Sequence, residues 1–452
     1  MEELKTLATH IVRTLQAKGY QAVFAGGCVR DMLMGRPPKD YDVATNATPD
    51  DVCKLFPRAK VVGAHFGVVI VVLDDHQFEV ATFRAEGEYL DGRHPSRVTF
   101  TTAEGDVRRR DFTVNGLLFD PVAEKVLDYV GGQADIRARL IRAIGDPRAR
   151  FAEDHLRLLR AVRFAAFLDF EIEPETRHAI TEMAPKIHSV SAERIAEELK
   201  KLLTRHGTER GMKLLHEAGL LPEILPEVAA MAGVEQPPTW HPEGDVFTHS
   251  ALCLSSLDNP SFELAMGTLL HDVGKPVTIE RGERIRYPYH ESVGADIAER
   301  ICQRLKVSIE SREHIVWLVK RHMVFVGADK MRLSTLKRLF ANPWFDDLLA
   351  VHKADVLAST NDLSEYDFCV AKRQEISQEK ISPPPLVTGD DLIAMGLQPG
   401  PVFKEILSLL REEQLEEKLN TREAALERAR QVVSEKGLLN SHGEPIRRRH
   451  ED

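Results

Sequence analysis

The chain has 452 residues, of which 43% are hydrophobic and 29% charged, the composition of an ordinary soluble protein with two to four globular domains. No apolar run is long enough to span a bilayer, which excludes a protein with transmembrane helices. The net charge of −10 argues weakly against a large non-specific nucleic-acid surface.

The first predicted element is an amphipathic helix. Its apolar residues recur at helical spacing, without the charged-then-apolar order of a signal peptide. They are Leu4, Leu7, Ile11, Val12 and Leu15.

Cysteine usage indicates the compartment. The five cysteines are scattered and contain no C-x-x-C pair, which favours thiols in a reducing cytoplasm over a disulfide or zinc framework. We therefore expect a cytoplasmic protein that does not bind a membrane. Its oligomeric state is left open by the sequence.

Short β-branched runs follow the first helix, among them "QAVFAGG", "GVVIVVL" and "FEVATF". They predict a small mixed sheet with flanking helices, and therefore an α/β head over residues 1–145. Helical periodicity then prevails and predicts a helical neck and body over residues 146–235. Pro-rich breaks separate a histidine-containing helical domain, residues 240–375, from a charged helical tail, residues 380–452.

The stretch "GGCVRDMLMGRPPKDYD" combines two glycines, an arginine and two aspartates. If Asp40 and Asp42 lie on a strand, both carboxylates point to one face and repel each other unless a cation binds between them. Mg²⁺ prefers such oxygen ligands together with substrate phosphates. Gly26 and Gly27 would let backbone N–H groups approach a phosphate, and Arg30 would add a charged fork. The two aspartates alone would fit surface acids equally well.

A third carboxylate lies on a later predicted strand. Glu79 alternates with Phe78 and Val80, so it points to the opposite face from both. An inward Glu79 would complete a two-metal site for phosphoryl transfer, whereas an outward one would be an acid on the rim.

One segment between residues 137 and 163 is rich in arginine. Such a segment in an acidic protein could bind a polyphosphate or an RNA backbone, and the alternative is a solvated helix face. Its members are Arg137, Arg139, Arg142, Arg148, Arg150, Arg157, Arg160 and Arg163.

Four motifs in order, "GGCVRD", "DYD", "RRDFTVN" and "EDHLRLLRAVRFA", resemble those of bacterial tRNA CCA-adding enzymes and their poly(A) polymerase relatives. The resemblance covers residues 20–230 and points to the class II branch of the polymerase-β-like nucleotidyltransferases. It implies a head, neck, body and tail, and Mg²⁺-dependent addition of nucleotides to an RNA 3′ end without a nucleic-acid template. The implied partners are the tRNA 3′ end, ATP and CTP.

The resemblance also implies roles for individual residues. Gly27 and Arg30 would hold the triphosphate, and the two aspartates would hold the metal ion. Arg110 would contact the nucleotide, and Asp111 would lie near the sugar. Gly116 stands where the family usually has alanine, which preserves a small residue.

The last motif predicts how a base is selected. Asp154 and Arg157 are three residues apart and would share one face of a helix. Cytosine and adenine each present an amino donor beside a ring-nitrogen acceptor, so a carboxylate and a guanidinium should accept them and reject guanine and uracil. The residues alone also allow a surface salt bridge, but the resemblance implies base selection. Arg160 and Arg163 would lie toward the phosphates or form buried ion pairs.

A second group of residues suits a divalent transition metal. "FTHSALCL", "LLHDVGKP" and "HKADVLAS" supply imidazoles and carboxylates on separate helices, and they resemble the HD superfamily of metal-dependent phosphohydrolases over residues 240–360. The resemblance implies the ligands His249, His271, Asp272 and Asp355. Candidates for a second ion are His290, His314 and His322. Phosphohydrolase activity and a degenerate domain kept for shape or RNA contact both remain open.

We therefore predict a transferase that completes tRNA 3′ ends with CCA from CTP and ATP. The loop "FRAEGEYLDGRHPSRVTF" has full length, which disfavours a CC-adding enzyme but leaves an A-adding enzyme open. A poly(A) polymerase is disfavoured because "GAHFGVV" lacks the basic pair of that subgroup. An HD phosphohydrolase with a nucleotide-sensing head and a non-catalytic RNA-binding module are disfavoured by the intact Asp40 and Asp42.

Overall fold

A seven-stranded mixed sheet forms the head in the computed structural model, which describes residues 2–62, 67–86, 98–238 and 241–438. The strands from the N-terminus are β1 (Ala22–Ala25), β2 (Val43–Thr45), β3 (Ala59–Val61), β4 (Val68–Leu73), β5 (His76–Thr82), β6 (Arg84–Glu86), β7 (Val98–Phe100), β8 (Leu117–Asp120) and β9 (Lys125–Asp128). The sheet has the order β3-β4-β5-β2-β1-β8-β9, while β6 pairs with β7. The parallel pairing of β2 with β5, two interior strands, brings residues from distant parts of the chain side by side.

Both faces of the head sheet are covered, and successive residues of a strand alternate between the two cores. Phe24 and Val43 pack on one face together with the first helix, whereas Val23, Ala25 and Ala44 pack on the other. The predicted α/β head is thus confirmed.

Helices dominate the chain after the head. The helices up to residue 321 are α1 (Glu2–Gln16), α2 (Gly27–Leu33), α3 (Pro49–Leu55), α4 (Ala103–Arg108), α5 (Gly132–Ala138), α6 (Pro147–Glu153), α7 (Leu156–Leu168), α8 (Pro174–Met183), α9 (Ala192–Leu203), α10 (Thr208–Glu217), α11 (Leu221–Ile224), α12 (Pro226–Ala229), α13 (Val246–Ser255), α14 (Phe262–Leu270), α15 (Lys275–Thr278), α16 (His290–Arg304) and α17 (Ile309–Arg321). Two small strand pairs interrupt them, β10 (Leu140–Ile141) with β11 (Glu171–Ile172) and β12 (Glu280–Arg281) with β13 (Ile285–Arg286).

Helix α7 is the centre of the neck, and α9 and α10 pack against it. Its side chains are buried almost throughout, including Arg157 and Arg163. Arg163 donates from Nε to Glu198 of α9 at 2.6 Å, so a buried ion pair joins these two helices. The sequence left this structural role open beside a phosphate contact.

The chain divides into two units between Val316 and Trp317. The second unit contains α18 (Leu333–Phe340), α19 (Phe345–Ala358), α20 (Ser364–Glu375), α21 (Gln378–Ile381), α22 (Gly389–Ala394), α23 (Pro401–Leu415) and α24 (Arg422–Glu435). Leu392, Ile406, Leu410 and Val432 belong to a core that the last three helices share. The four domain ranges drawn from the sequence remain predictions.

In the described ranges, the search for a helix with the length and hydropathy of a membrane span finds none. The five cysteines all lie in those ranges, and none forms a disulfide.

Gly132 at the start of α5 allows a test of the head packing. A Cβ atom there would lie 2.2 Å from the carbonyl oxygen of Thr113, so Gly132→Ala forces the backbone apart. We expect a loss of about 1–3 kcal/mol in the free energy of unfolding, measured as a lower melting temperature by calorimetry. Gly282→Ala is the control, because its nearest atom, the Arg284 oxygen, is 4.0 Å away. Equal melting temperatures for the two variants would contradict the packing.

Candidate active site

A cavity of about 680 Å³ lies between the head sheet and α7. The sheet contributes residues at the start of β2 and along β5, the N-terminus of α2 contributes two glycines, and α7 and α9 close the opposite side. The predicted head residues and several predicted neck residues therefore meet in one place.

Asp40 and Asp42 both face this cavity but precede β2 instead of lying on it. The backbone is extended there, and the carbonyl of Asp42 accepts a hydrogen bond from Ala25 N at 3.0 Å. Tyr41 between them is buried against Phe24, with ring centroids 5.2 Å apart. The predicted alternation is present, although β2 begins at Val43, one residue after the end of the Asp40–Asp42 motif.

Glu79 lies level with Asp42 because of the parallel register of the two strands. Val43 pairs with Val80, so the residues that precede them, Asp42 and Glu79, stand side by side. Glu79 lines the same cavity. The geometry thus brings the three carboxylates together.

These carboxylates crowd one another. Partial burial at the cavity floor, together with repulsion from Asp40 and Glu79, raises the pKa of Asp42 to about 6, although its side chain is open to the cavity. Arg110 offsets only part of this effect. Three carboxylates with so little compensating positive charge fit a divalent cation, which prefers clustered oxygen ligands.

Gly26 is required beside the carboxylates. It has a φ of 76°, and a Cβ atom there would lie 2.8 Å from Nη1 of Arg110. Gly27 opens α2, and both glycines line the cavity. Arg30 lines it too, but its guanidinium donates to Asn115 at 2.7 Å and to Asp31 at 2.8 Å. Arg30 is therefore fixed by protein partners before any phosphate binds.

Asp106 is a site residue that the sequence analysis missed. Its buried carboxylate accepts from Arg109 at 2.7 Å and from Arg110 at 3.1 Å. Burial alone would raise the pKa of Asp106, but the two guanidinium groups hold it below its usual value. Asp106 thus orients two arginines that line the cavity, and only its position before "RRRD" could have indicated it.

Asp111 joins the head to the neck. Its Oδ2 accepts from Nε and Nη2 of Arg160 at 2.8 and 2.6 Å, and its Oδ1 accepts from Phe112 N at 2.8 Å and Asn115 Nδ2 at 3.2 Å. Burial opposes ionisation, but the Arg160 guanidinium outweighs it and lowers the pKa of Asp111 to about 2. Both side chains line the cavity while being paired to each other.

The expected pairing of Asp154 with Arg157 on one helical face is not formed. The helix breaks between α6 and α7, and Asp154 has the extended backbone of a C-cap at φ −151°. Its carboxylate accepts from Arg194 Nη2 at 2.7 Å, whereas Arg157 forms an ion pair with Glu153. Asp154 and Arg157 nevertheless line the same cavity, together with Arg194, which the sequence analysis did not single out.

Arg163 does not line the cavity described here, because its guanidinium is occupied by Glu198. Most of the other arginines of the dense segment are also paired. Arg139 pairs with Asp169 at 2.6 Å, and Arg148 pairs with Glu182 at 2.8 Å. The segment is therefore mostly neutralised and is weaker support for a polyphosphate surface than its composition suggested.

Two sequence arguments concern residues outside the described ranges. The loop used to judge between A-adding and CC-adding enzymes spans residues 83–100, of which residues 87–97 lie outside those ranges. The four residues of the "GAHF" stretch, 63–66, lie outside them as well. Both arguments remain predictions.

A second cluster lies around Asp272 in the first unit. Its carboxylate forms an ion pair with Nζ of Lys275 at 2.6 Å. The Nε2 atoms of His271, His290 and His249 lie 3.3, 3.4 and 4.0 Å from the same carboxylate. All of these side chains are buried. Imidazole nitrogens that converge on a carboxylate are the donor set of a divalent transition metal.

The opposite ring nitrogens of these histidines are held in place. His249 Nδ1 lies 2.5 Å from Glu243 Oε1, and the Nδ1 atoms of His271 and His290 each lie near a backbone carbonyl at 2.7 and 2.8 Å. This arrangement directs Nε2 toward the carboxylate, as it does around bound metals. The sequence analysis missed Glu243.

The remaining predicted ligands of this cluster fall on other elements. His314 lies on α17 of the first unit. Asp355 lies on α19, and His322 begins a short 3₁₀ helix, both in the second unit. Their roles as ligands stay predictions.

Comparison with known domain families matches three segments of the chain. Residues 22–142 match the poly A polymerase head domain. Residues 169–231 match a probable RNA and SrmB-binding site of polymerase A, and residues 245–358 match an HD domain.

Known proteins are similar in sequence to about half of the chain. A CCA-adding enzyme of Geobacillus sp. strain WCH70 is 45% identical over 221 residues, which are 49% of this chain and 54% of the relative. The chain therefore spans about half the length of the curated relatives it matches.

Solved structures resemble the chain over nearly its whole length. The Bacillus stearothermophilus CCA-adding enzyme in complex with CTP has a TM-score of 0.66 and 26% identity, covering 95% of this chain and 98% of that one. The Thermotoga maritima CCA-adding enzyme complexed with tRNA shares the fold, with a TM-score of 0.59, 16% identity and 95% of each chain covered. The predicted resemblance to tRNA nucleotidyltransferases with an HD domain is confirmed.

Poly A polymerase heads and HD domains are both associated with divalent metal ions. The carboxylates of Asp40, Asp42 and Glu79 fit this requirement in the head. The imidazoles around Asp272 fit it in the HD domain.

The crowded charge of the head carboxylates has a consequence for stability. Because the pKa of Asp42 is about 6 in the folded chain and about 3.9 in an unfolded one, the charged carboxylate destabilises the folded state above pH 6. In EDTA, Asp42→Asn should therefore melt at a higher temperature than the parent at pH 7.5. The difference should shrink through pH 6 and vanish near pH 4, measured by calorimetry. Asp75→Asn, at an exposed turn, is the control. If the difference in melting temperature between Asp42→Asn and the parent did not change with pH, the raised pKa of Asp42 would be contradicted.

The HD cluster predicts a metal affinity that depends on Glu243. Glu243→Gln keeps the size of the side chain but weakens the orientation of His249, so it should lower the affinity for Mn²⁺ or Co²⁺ by about 10–100-fold. Equilibrium dialysis with metal analysis measures this, with Glu283→Gln, an exposed residue, as the control. Unchanged affinity would mean that Glu243 does not support a metal ligand.

Proposed function

We propose that the chain adds nucleotides to the 3′ end of tRNA without a template, completing CCA from CTP and ATP. The observation that carries the proposal is the meeting of Asp40, Asp42 and Glu79 with Asp154 and Arg157 in one cavity. A metal-binding wall and a base-binding wall then face the same space. The likeness to CCA-adding enzymes supports this activity.

On this proposal Mg²⁺ is the ion of the head, held by Asp40 and Asp42 with Glu79 beside them. When bound, it would neutralise charge on the triphosphate and activate the terminal hydroxyl of the RNA. Gly26 and Gly27 leave room for the phosphates, and Arg110 contributes positive charge beside them. Arg160 and Asp111 keep the two walls together.

Base selection follows from what Asp154 can accept. Its oxygens offer about four lone-pair positions, of which Leu156 N and Arg194 take one each. The amino group of cytosine or adenine could donate to a remaining position, whereas the carbonyl of uracil or guanine would face a carboxylate. Such a mismatch leaves polar groups unpaired at a cost of about 1–3 kcal/mol.

The proposal places the protein in the cytoplasm, where tRNA is completed and where its thiols would stay reduced. An A-adding enzyme is the first alternative, followed by a poly(A) polymerase. An HD phosphohydrolase with a nucleotide-sensing head is disfavoured by the crowded carboxylates, since a sensor has no need of them.

The deciding experiment uses three tRNAs that end before CCA, after C and after CC. The parent with CTP and ATP should complete all three, as read by sequencing the products. Asp42→Asn should reduce incorporation about a thousandfold or more, because charge stabilisation by the metal is worth several kcal/mol, and it should leave tRNA binding intact. Asp75→Asn is the control.

Each other outcome identifies an alternative. Extension of the CC-ended tRNA alone would indicate an A-adding enzyme, and long A tails would indicate a poly(A) polymerase. A parent that extends none of the three tRNAs overturns the proposal.

The HD cluster supports a second activity, metal-dependent hydrolysis of phosphate esters. Lys275 lies beside Asp272 and would attract an anionic substrate to the imidazole ligands. Asp272→Asn should remove hydrolysis of a model phosphodiester such as bis-p-nitrophenyl phosphate and spare nucleotide addition. A folded variant that loses addition instead would make the HD domain part of the transferase.

A further inference from the structure

Arg194 is placed to control the proposed base acceptor. Its Nη2 donates to Oδ2 of Asp154 at 2.7 Å, and Leu156 N donates to Oδ1 at 3.1 Å. Each carboxylate oxygen therefore has one fixed donor, so the carboxylate has little freedom to rotate. The Arg194 and Asp154 side chains remain 25% and 18% exposed, and both line the cavity.

Arg157 has separate partners. Its guanidinium pairs with Glu153 and donates to the carbonyls of Arg150 and Arg109 at 2.9 Å each. Arg157 is thus positioned without Asp154, and Asp154 is positioned without Arg157. The two residues of the proposed base-binding wall are therefore held by separate sets of partners.

Helix α9 fixes the position of Arg194. Glu198 lies four residues after Arg194 on the same face, and it forms the buried ion pair with Arg163 of α7. Both side chains of that pair are less than 10% exposed. The helix that presents Arg194 is therefore anchored to the helix that follows Asp154.

We infer that Arg194 is a positioning residue for nucleotide selection, which holds the Asp154 carboxylate in the orientation that meets the base. The inference rests on the proposed function, because it assigns Asp154 as the base acceptor. A salt bridge that only stabilised the neck would affect the rate or the melting temperature but not the choice of base. Selectivity is therefore the property to measure.

The variants are Arg194→Met, which removes the charge at similar length, and Arg194→Lys, which keeps it. Arg177→Met is the control, since Arg177 pairs with Glu217 on the surface at 3.0 Å, and both side chains are about half exposed. For each protein, kcat/KM for incorporation and the equilibrium affinity are measured with CTP, ATP, UTP and GTP. Circular dichroism melts check folding.

Arg194→Met should lower the ratio of kcat/KM for CTP to kcat/KM for UTP at least tenfold. Arg194→Lys, which keeps the charge, should retain part of the parental ratio. The Asp154→Ala variant should show a similar narrowing, and adding Arg194→Met to it should narrow the preference no further, because both changes remove one interaction. If Arg194→Met fails to fold, Arg194→Gln replaces it, because glutamine keeps one weak donor to Asp154 and should give an intermediate preference.

Parental selectivity in a folded Arg194→Met or Arg194→Gln variant overturns the inference, as does an additive double variant. A parent that prefers CTP in binding but incorporates no nucleotide would overturn the proposed function, and the binding ratios would still decide the role of Arg194. A parent with no base preference in either measurement overturns both.

Discussion

The ion pair between Asp111 and Arg160 is the contact on which the candidate site depends. Asp111 belongs to the head and Arg160 to α7, so the pair sets the distance between the three head carboxylates and the proposed base-binding residues of the neck. The low pKa of Asp111 means that the pair stays charged throughout the physiological range. Arg157 adds a second link through its hydrogen bond to the carbonyl of Arg109.

The surrounding arginines show how the chain balances charge near this contact. The guanidinium groups of Arg30, Arg160 and Arg163 lie 5.5, 5.3 and 4.2 Å from the centroid of the Phe164 ring. Their charges are met by Asp31, Asp111 and Glu198. By contrast, the raised pKa of Asp42 marks the carboxylates as the part of the cavity where negative charge is not balanced by protein groups alone. A divalent cation and a nucleotide triphosphate would complete that balance together.

In the HD cluster, too, one set of groups orients the side chains that face the centre of the cluster. Glu243 and two backbone carbonyls hold one nitrogen of each imidazole, and the other nitrogen faces Asp272. Gly274 permits this packing, since a Cβ atom there would lie 2.1 Å from the carbonyl oxygen of His290. The "HDVGKP" motif thus contains a ligand pair, a close approach and a lysine within six residues.

The sequence by itself determined the α/β head and the helical remainder, and it singled out most of the charged residues that line the candidate cavity. Strand periodicity placed Asp40 and Asp42 on one face because alternation is a local property of extended backbone. It left open whether Glu79 points inward, and the pairing of β2 with β5 decided that. Local motifs also identified Arg110, Asp111, Asp154 and Arg157 as residues of one site, and the cavity contains all four. Arg163 was the exception, since its partner Glu198 lies 35 residues away.

Only the tertiary structure decided which charged groups pair. Periodicity predicted an unbroken helix through Asp154, but the chain breaks there, and Arg194, 40 residues later, takes the carboxylate. Asp106 and Glu243 were missed for the same reason, because a supporting carboxylate has no local signature until its partners are folded around it. Ion pairing depends on distances of a few ångströms between residues remote in sequence, and those distances are set by how α7, α9 and the head sheet pack.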